Sequence, residues 1–283
     1  MEDYLKTKSD HFREKDIFKK ALVLQNQGKF KAAIVCYQEL LEFCKNWPEV
    51  YYNLGFLWER ENNFLEAVRC YQQAIKFNPV YSEAYYNLAV IYQQQGLIED
   101  AIKNYEKVIA LAPKQIIAYS NLGCLWIKLG EYSQAIEILI QAVTLQPEQA
   151  YLHNNLGRAF FANGEIDRAI ACYLKALRLQ PNLVEIYSNL GEAFYYQKLL
   201  ESAIQSWQQA LQLKPDSVSI HSQCVSALIA QNQYSEAIIH LKKIVALEQP
   251  FIKAYSQFTE KLYTENSMGR ATIACGKLLK ALQ

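Results

Sequence analysis

No stretch of this 283-residue chain is apolar for long enough to cross a bilayer as a helix. The amino terminus, MEDYLKTKSDHFREKD, is charged throughout and does not read as a secretory signal. There is no excess of either charge: 29 basic and 28 acidic residues leave a net +1. That balance argues against a dedicated nucleic-acid binder, which carries a clustered basic surplus. The seven cysteines contain no CxxC pair. Cys36, Cys70 and Cys172 instead share one helical position beside Tyr37, Tyr71 and Tyr173, as small packing groups in a reducing compartment would. Neither GxxxxGK nor GxGxxG occurs, so no phosphate loop is expected. The four histidines (11, 153, 221 and 240) are scattered, and no metal-ligand spacing is present. These omissions lead us to expect no catalytic residues, no cofactor and no metal, and a cytoplasmic setting.

What is present is a period. Alanine recurs at Ala33, Ala67, Ala101, Ala135, Ala169, Ala203, Ala237 and Ala271, every 34 residues without insertion or deletion. Such regularity means one supersecondary unit stacked on itself, with a long surface rather than a closed pocket. Residues 82–115 illustrate the unit. Tyr85, Leu88, Ala89 and Tyr92 fall in helical phase from Ser82 to Gln95, and Ala101, Ile102, Tyr105, Val108 and Ile109 do so from Ile98 to Leu111. Gly96 marks the turn between them, and Pro113 ends the unit because proline cannot continue a helix.

Further positions recur in register. Tyr51, Tyr85, Tyr119 and Tyr187 supply a bulky anchor, replaced by His153 and His221. A small residue (Gly55, Ala89, Gly123, Gly157, Gly191) follows a leucine, which predicts close approach of the paired helices. Prolines 79, 113, 147, 181 and 215 punctuate the units.

The pattern resembles the tetratricopeptide repeat (TPR) family. The resemblance covers residues 14–283 and implies an all-α solenoid. It implies a right-handed superhelix of eight tandem helix–turn–helix units whose first helices line a concave groove. The units are 14–47, 48–81, 82–115, 116–149, 150–183, 184–217, 218–251 and 252–283, after a lead-in over 1–13. The ends are atypical. Unit one has Ile17, Lys20 and Ala21 where others have Tyr, Leu and Gly; unit seven has Cys224 and Val225, with its proline at Pro250. Unit eight carries Gly269 and Gly276 in its second helix. No polar capping helix follows, so either unit eight is the cap or the natural chain continues.

On a helical wheel, Asn87 falls about 150° from the centre of the Tyr85–Leu88–Ala89–Tyr92 stripe. Its equivalents are Asn53, Asn121, Asn155 and Asn189, continued by Gln223 and Gln257. A carboxamide both donates and accepts, so this ladder can pair with the peptide groups of an extended ligand. With helices about 10 Å apart and a strand rise of about 3.3 Å, one amide meets roughly every third ligand residue. The span from Asn53 to Asn189 then suits a segment on the order of 12 residues. The bland alternative is hydrogen bonding between neighbouring helices. Tyr52, Phe56, Tyr86 and Arg158 stand beside the ladder as interface anchors. A similar ladder is found in the TPR region of O-linked N-acetylglucosamine transferases, where it grips protein substrates. The Lys- and Asn-based clamp by which some TPR domains hold acidic chaperone tails is missing: its positions are Phe18, Leu22, Glu83 and Asn87.

The expected function is a protein–protein interaction scaffold that holds an extended peptide segment in its groove, not an enzyme. Two alternatives stay open: the substrate-recognition region of a larger glycosyltransferase or methyltransferase, and self-association through exposed end units.

Overall fold

The computed structural model describes residues 2–247, with side chains from Arg13 onward. The eighth unit (252–283), Ala271, Gln257, Pro250, Cys275 and the two late glycines therefore lie outside the described residues, as does the side chain of His11. Fourteen helices are described. The first five pairs are α1 (Glu2–Asn26) with α2 (Phe30–Phe43), α3 (Pro48–Arg60) with α4 (Phe64–Phe77), α5 (Ser82–Gln94) with α6 (Ile98–Leu111), α7 (Ile116–Leu129) with α8 (Tyr132–Leu145), and α9 (Ala150–Ala162) with α10 (Ile166–Leu179). They are followed by α11 (Val184–Tyr196) with α12 (Leu200–Leu213) and α13 (Val218–Ala230) with α14 (Tyr234–Leu247). This is the all-α solenoid repeat expected, one helix pair per period. The lead-in is continuous with α1. The chain divides into two compact units, Met1–Leu125 and Trp126–Gln283, and each is treated by itself below.

The connections follow from local chemistry. The residue between the two helices of a pair is left-handed in every described repeat: Gly28, Asn62, Gly96, Gly130, Gly164, Lys198 and Asn232, with φ from 59° to 81°. Each closes the first helix with paired backbone bonds, as in Gly96 N–H to the Gln93 carbonyl (3.2 Å) and Leu97 N–H to the Tyr92 carbonyl (2.9 Å). Glycine adopts this region freely and asparagine tolerates it, whereas lysine pays a steric penalty. Five second helices (α4, α6, α8, α10 and α12) end two positions before a proline. Asn78, Ala112, Gln146, Gln180 and Lys214 have φ between −133° and −144°, the extended backbone that a following proline favours. Side-chain caps contribute little: Asn63, accepting from Glu66 N–H at 3.3 Å, is the one N-cap described with such a bond.

The recurring alanines, Ala33 through Ala237, are all fully buried. On the first helices the leucines from Leu54 to Leu190 and the small residues after them are buried as expected, and the core also takes in a second set of positions. Val50, Ala84, Ala118, Leu152, Ile186 and Ile220 are buried, as are Leu57, Ile91, Leu125, Ala159, Ala193 and Ala227. The bulkier Tyr51, Tyr85, Tyr187 and Trp58 are only half-buried.

The small residue after the leucine accommodates an aromatic ring of the second helix rather than backbone alone. A methyl group added at Gly55 would meet the Tyr71 ring at 2.7 Å, and one at Gly157 would meet the Tyr173 ring at 2.6 Å. At Gly191 the same methyl would run into the indole of Trp207. Ala89 with Tyr105 shows that one repeat has adjusted to the larger residue, both side chains being fully buried.

Candidate peptide-binding face

Including the overlooked core positions changes where the amides sit. Asn53 is about 60° from Val50 and about 40° from Leu57 on the wheel, at the margin of the buried arc rather than opposite it. Accordingly Asn53, Asn87, Asn121, Asn155, Asn189 and Gln223 are all half-buried.

In Met1–Leu125 two of the amides, Asn87 and Asn121, are tied to tyrosine hydroxyls. Asn87 Nδ2 donates to the Tyr71 hydroxyl at 3.0 Å and to the Tyr52 hydroxyl at 3.4 Å. Asn121 Nδ2 donates to Tyr105 at 3.1 Å and Tyr86 at 3.4 Å. The Tyr71 hydroxyl in turn donates to Glu59 Oε2 at 3.0 Å, and Tyr105 donates to Gln93 Oε1 at 2.9 Å. A carboxylate only accepts, so Glu59 fixes the direction of the whole relay: Asn87 to Tyr71 to Glu59. Burial, and then the Glu59 charge, raises the Tyr71 pKa well above its ordinary value and keeps that proton in place.

Both N–H groups of Asn87 and of Asn121 are thus taken. Their Oδ1 atoms accept no hydrogen bond among the described residues, and no buried polar side-chain atom there lacks a partner. Those oxygens are therefore open to solvent. At Asn87 and Asn121 the face presents an acceptor alone, where the sequence suggested a donor and an acceptor together. Asn53 makes no hydrogen bond among the described residues; Phe18 stands where later repeats have Tyr52 and Tyr86.

In Trp126–Gln283 the same register is stitched differently. Asn189 Nδ2 donates to Asn154 Oδ1 at 2.9 Å, and Asn154 Nδ2 donates to Glu185 Oε1 at 3.2 Å. The Ser188 hydroxyl donates to Gln223 Oε1 at 3.3 Å. Arg158 lies 4.0 Å from Glu185. One rule joins both regions: the amide pairs with the residue 35 positions earlier, directly before the preceding amide. The hydroxyls and amide at that position (Tyr52, Tyr86, Asn154, Ser188) are a signal for this pairing that the sequence itself carries. The amide ladder is thus in part the helix-to-helix bond held open as its alternative.

Of the flanking residues, Tyr52, Phe56, Tyr86 and Arg158 are half-buried. Tyr52 stacks on Tyr81 at 5.0 Å between ring centroids, and Arg60 lies 5.0 Å above the Phe56 ring. An open concavity of about 450 Å³ between α11 and α12 is lined by glutamines and serines with Tyr187 and Phe194, and includes none of the predicted groove residues.

The histidines take packing roles. His153 Nε2 lies 2.7 Å from the Pro147 carbonyl and His221 Nε2 lies 2.9 Å from that of Pro215, the bond Tyr119 makes to Pro113 at 3.1 Å. Among the described residues no three His, Cys, Asp or Glu side chains are grouped to hold a metal, and no helix is long and apolar enough to cross a membrane.

Sequence profiles of the TPR repeat match residues 21–61, 60–96, 127–164 and 157–198, and the tetratricopeptide repeat profile matches 82–115 and 184–217. The chain belongs to the tetratricopeptide repeat family. No curated protein sequence matches this TPR chain. Among solved structures, MamA is 28% identical with a TM-score of 0.55, covering 57% of this chain and 95% of MamA. YrrB, described as a TPR protein with an unusual peptide-binding site, is 21% identical with a TM-score of 0.58, covering 69% of this chain and 97% of YrrB. The C-terminal part of a TPR repeat-containing protein from Cytophaga hutchinsonii is 18% identical, with a TM-score of 0.69 over 84% of this chain and 98% of its own. The latter two likenesses concern the fold. TPR arrays serve as protein–protein interaction scaffolds, and protein or peptide partners are what this fold implies.

Proposed function

We propose that this TPR protein is a non-enzymatic scaffold that binds an extended segment of another protein along the amide-bearing face of its first helices. The observation that carries this reading is the state of Asn87 and Asn121. Each amide is oriented by two donated hydrogen bonds, and each keeps a solvent-open carbonyl oxygen. Fixed acceptors at the helix spacing suit the N–H groups of an extended backbone, with little ordering entropy lost on binding. The likeness of this ladder to the one in O-linked N-acetylglucosamine transferases supports the same use. Asn53, Asn155, Asn189, Gln223 and Gln257 continue the register, with Tyr52, Phe56, Tyr86 and Arg158 as flanking anchors. Among the described residues no disulfide joins the cysteines, which fits action in the cytoplasm.

The test is peptide binding by the full chain and by an Asn87→Ala, Asn121→Ala, Asn155→Ala variant, with thermal unfolding followed in parallel. Because Asn87 and Asn121 also join helices, a lower melting temperature is expected. The reading requires that binding at a temperature where both proteins are folded weakens at least about tenfold, the equivalent of about 1.4 kcal/mol. Unchanged binding by the folded variant rules it out.

A further inference from the structure

The face carried by α3 and α5 has a chemistry of its own. Glu49 and Glu83 occupy the same repeat position in the first turn of each helix, and both are exposed. Their charges, after burial and Tyr52, push the Tyr81 pKa above its ordinary value, so both carboxylates act on one hydroxyl. That hydroxyl belongs to a stacked pair, Tyr52 and Tyr81, whose centroids are 5.0 Å apart at 30°. Neither Glu49 nor Glu83 is in an ion pair among the described residues; Glu83 accepts only from the Ser82 hydroxyl, at 3.0 Å. The cation on this face, Arg60, is seated over Phe56 at the opposite end of α3, roughly 16 Å along the helix from Glu49.

The second compact unit supplies an internal contrast. Glu185 stands in the same repeat position and is satisfied from within, by Asn154 at 3.2 Å and Arg158 at 4.0 Å. On α3 and α5 neither carboxylate meets a cationic side chain among the described residues, and the Asn87 Oδ1 accepts from none, so positive charge or donors from a partner are suited to this face.

We propose that the α3–α5 face takes a lysine or arginine side chain of the bound segment, its cation over the Tyr52–Tyr81 pair and between the Glu49 and Glu83 carboxylates. This rests on the reading that a peptide segment binds along this face, and it adds the charge class of that segment. The partner is therefore a protein with a basic residue in an extended stretch.

The experiment is an array of randomised peptides of about 12 residues, one central position fixed as Lys, Arg, Ala, Asp or Glu, probed with the full chain. Fixed Lys or Arg is expected to bind about tenfold tighter than fixed Ala, with fixed Asp or Glu weakest. In a Glu49→Gln, Glu83→Gln variant the preference collapses. In Glu49→Asp, Glu83→Asp, which keeps the charge and the first-turn placement, it is retained. If peptides bind with no basic preference, or the preference survives in the Gln variant, this inference falls while the scaffold reading stands. If no peptide of any class binds, both fall.

Discussion

The two compact units share a backbone plan and differ in what joins their repeats. In Met1–Leu125, buried tyrosines on the second helices relay Asn87 and Asn121 to acceptors on the preceding first helix. In Trp126–Gln283 the corresponding second-helix residues are Leu139, Tyr173 and Trp207. Leucine offers no hydroxyl, Tyr173 makes no side-chain hydrogen bond among the described residues, and the Trp207 indole donates to the Ser188 carbonyl at 3.1 Å. There the amides turn to each other and to Glu185. The 34-residue period thus sets helix, turn and register. An amide is anchored by hydroxyls where both the second-helix residue and the residue 35 positions earlier are tyrosine, as at Asn87 and Asn121, and not at Asn53, where Tyr37 is matched with Phe18, or at Asn189, where Tyr173 is matched with Asn154. That pairing governs which acceptors, donors and charges are left for a partner.

The largest test of this contrast is steric. Gly191→Ala forces a methyl into Trp207, which is buried and held through its indole N–H. We expect a loss of about 1–3 kcal/mol by denaturant unfolding. Gly55→Ala against Tyr71 is expected to cost less, since Ala89 already coexists with Tyr105 and alanine favours helix. Equal costs would remove the distinction between the indole and phenol repeats.

Next comes the hydroxyl itself. Tyr71→Phe leaves Glu59 and Asn87 without their shared partner, and about 1–2 kcal/mol should be lost. Tyr173→Phe removes a hydroxyl that bonds to nothing described and should fall within about 0.5 kcal/mol of the parent. Similar effects at both sites would mean that the relay does not hold the first unit together.

A third comparison concerns the turns. Lys198 is left-handed at φ 63° where Gly96 sits at φ 76°. Lys198→Gly should stabilise by about 1 kcal/mol and Gly96→Ala should destabilise by a similar amount, both read from melting temperature.

The smallest effect is pH-dependent. His221 Nε2 donates to the Pro215 carbonyl, so its Nδ1 accepts from His240 Nδ1–H at 2.7 Å. Burial and then His221 hold His240 below its ordinary 6.5. The unfolded state therefore binds protons first, and stability declines as pH falls through about 6.5. A His240→Gln variant should lose that slope. A parent whose melting temperature is flat from pH 7.5 to 5.5, on the order of the His range, would contradict the pairing.

Much of this was legible in the sequence. The alanine period fixes the helix pairs, Gly96 and Pro113 bound their unit within a residue, and the amide register is visible from Asn53 to Gln223. The leucine and small-residue stripe of the first helices is buried as expected, and a second part of their core was harder to see. Val50, Ala84, Leu152 and Ile186 vary in size, while the half-buried tyrosines beside them repeat conspicuously. The left-handed turn at Lys198 carries no glycine to announce it. The consumed N–H groups of Asn87 could not be read from its own repeat. They depend on Tyr52, 35 residues earlier, and on the Glu59 carboxylate that orients Tyr71.

The most direct measurement is a crystal structure of the full chain with the tightest peptide from the array. The account predicts an extended peptide across α3, α5 and α7, with backbone N–H groups within about 3.2 Å of Asn87 Oδ1 and Asn121 Oδ1. A peptide bound on the second helices, or one whose backbone leaves those two oxygens in water, would contradict it.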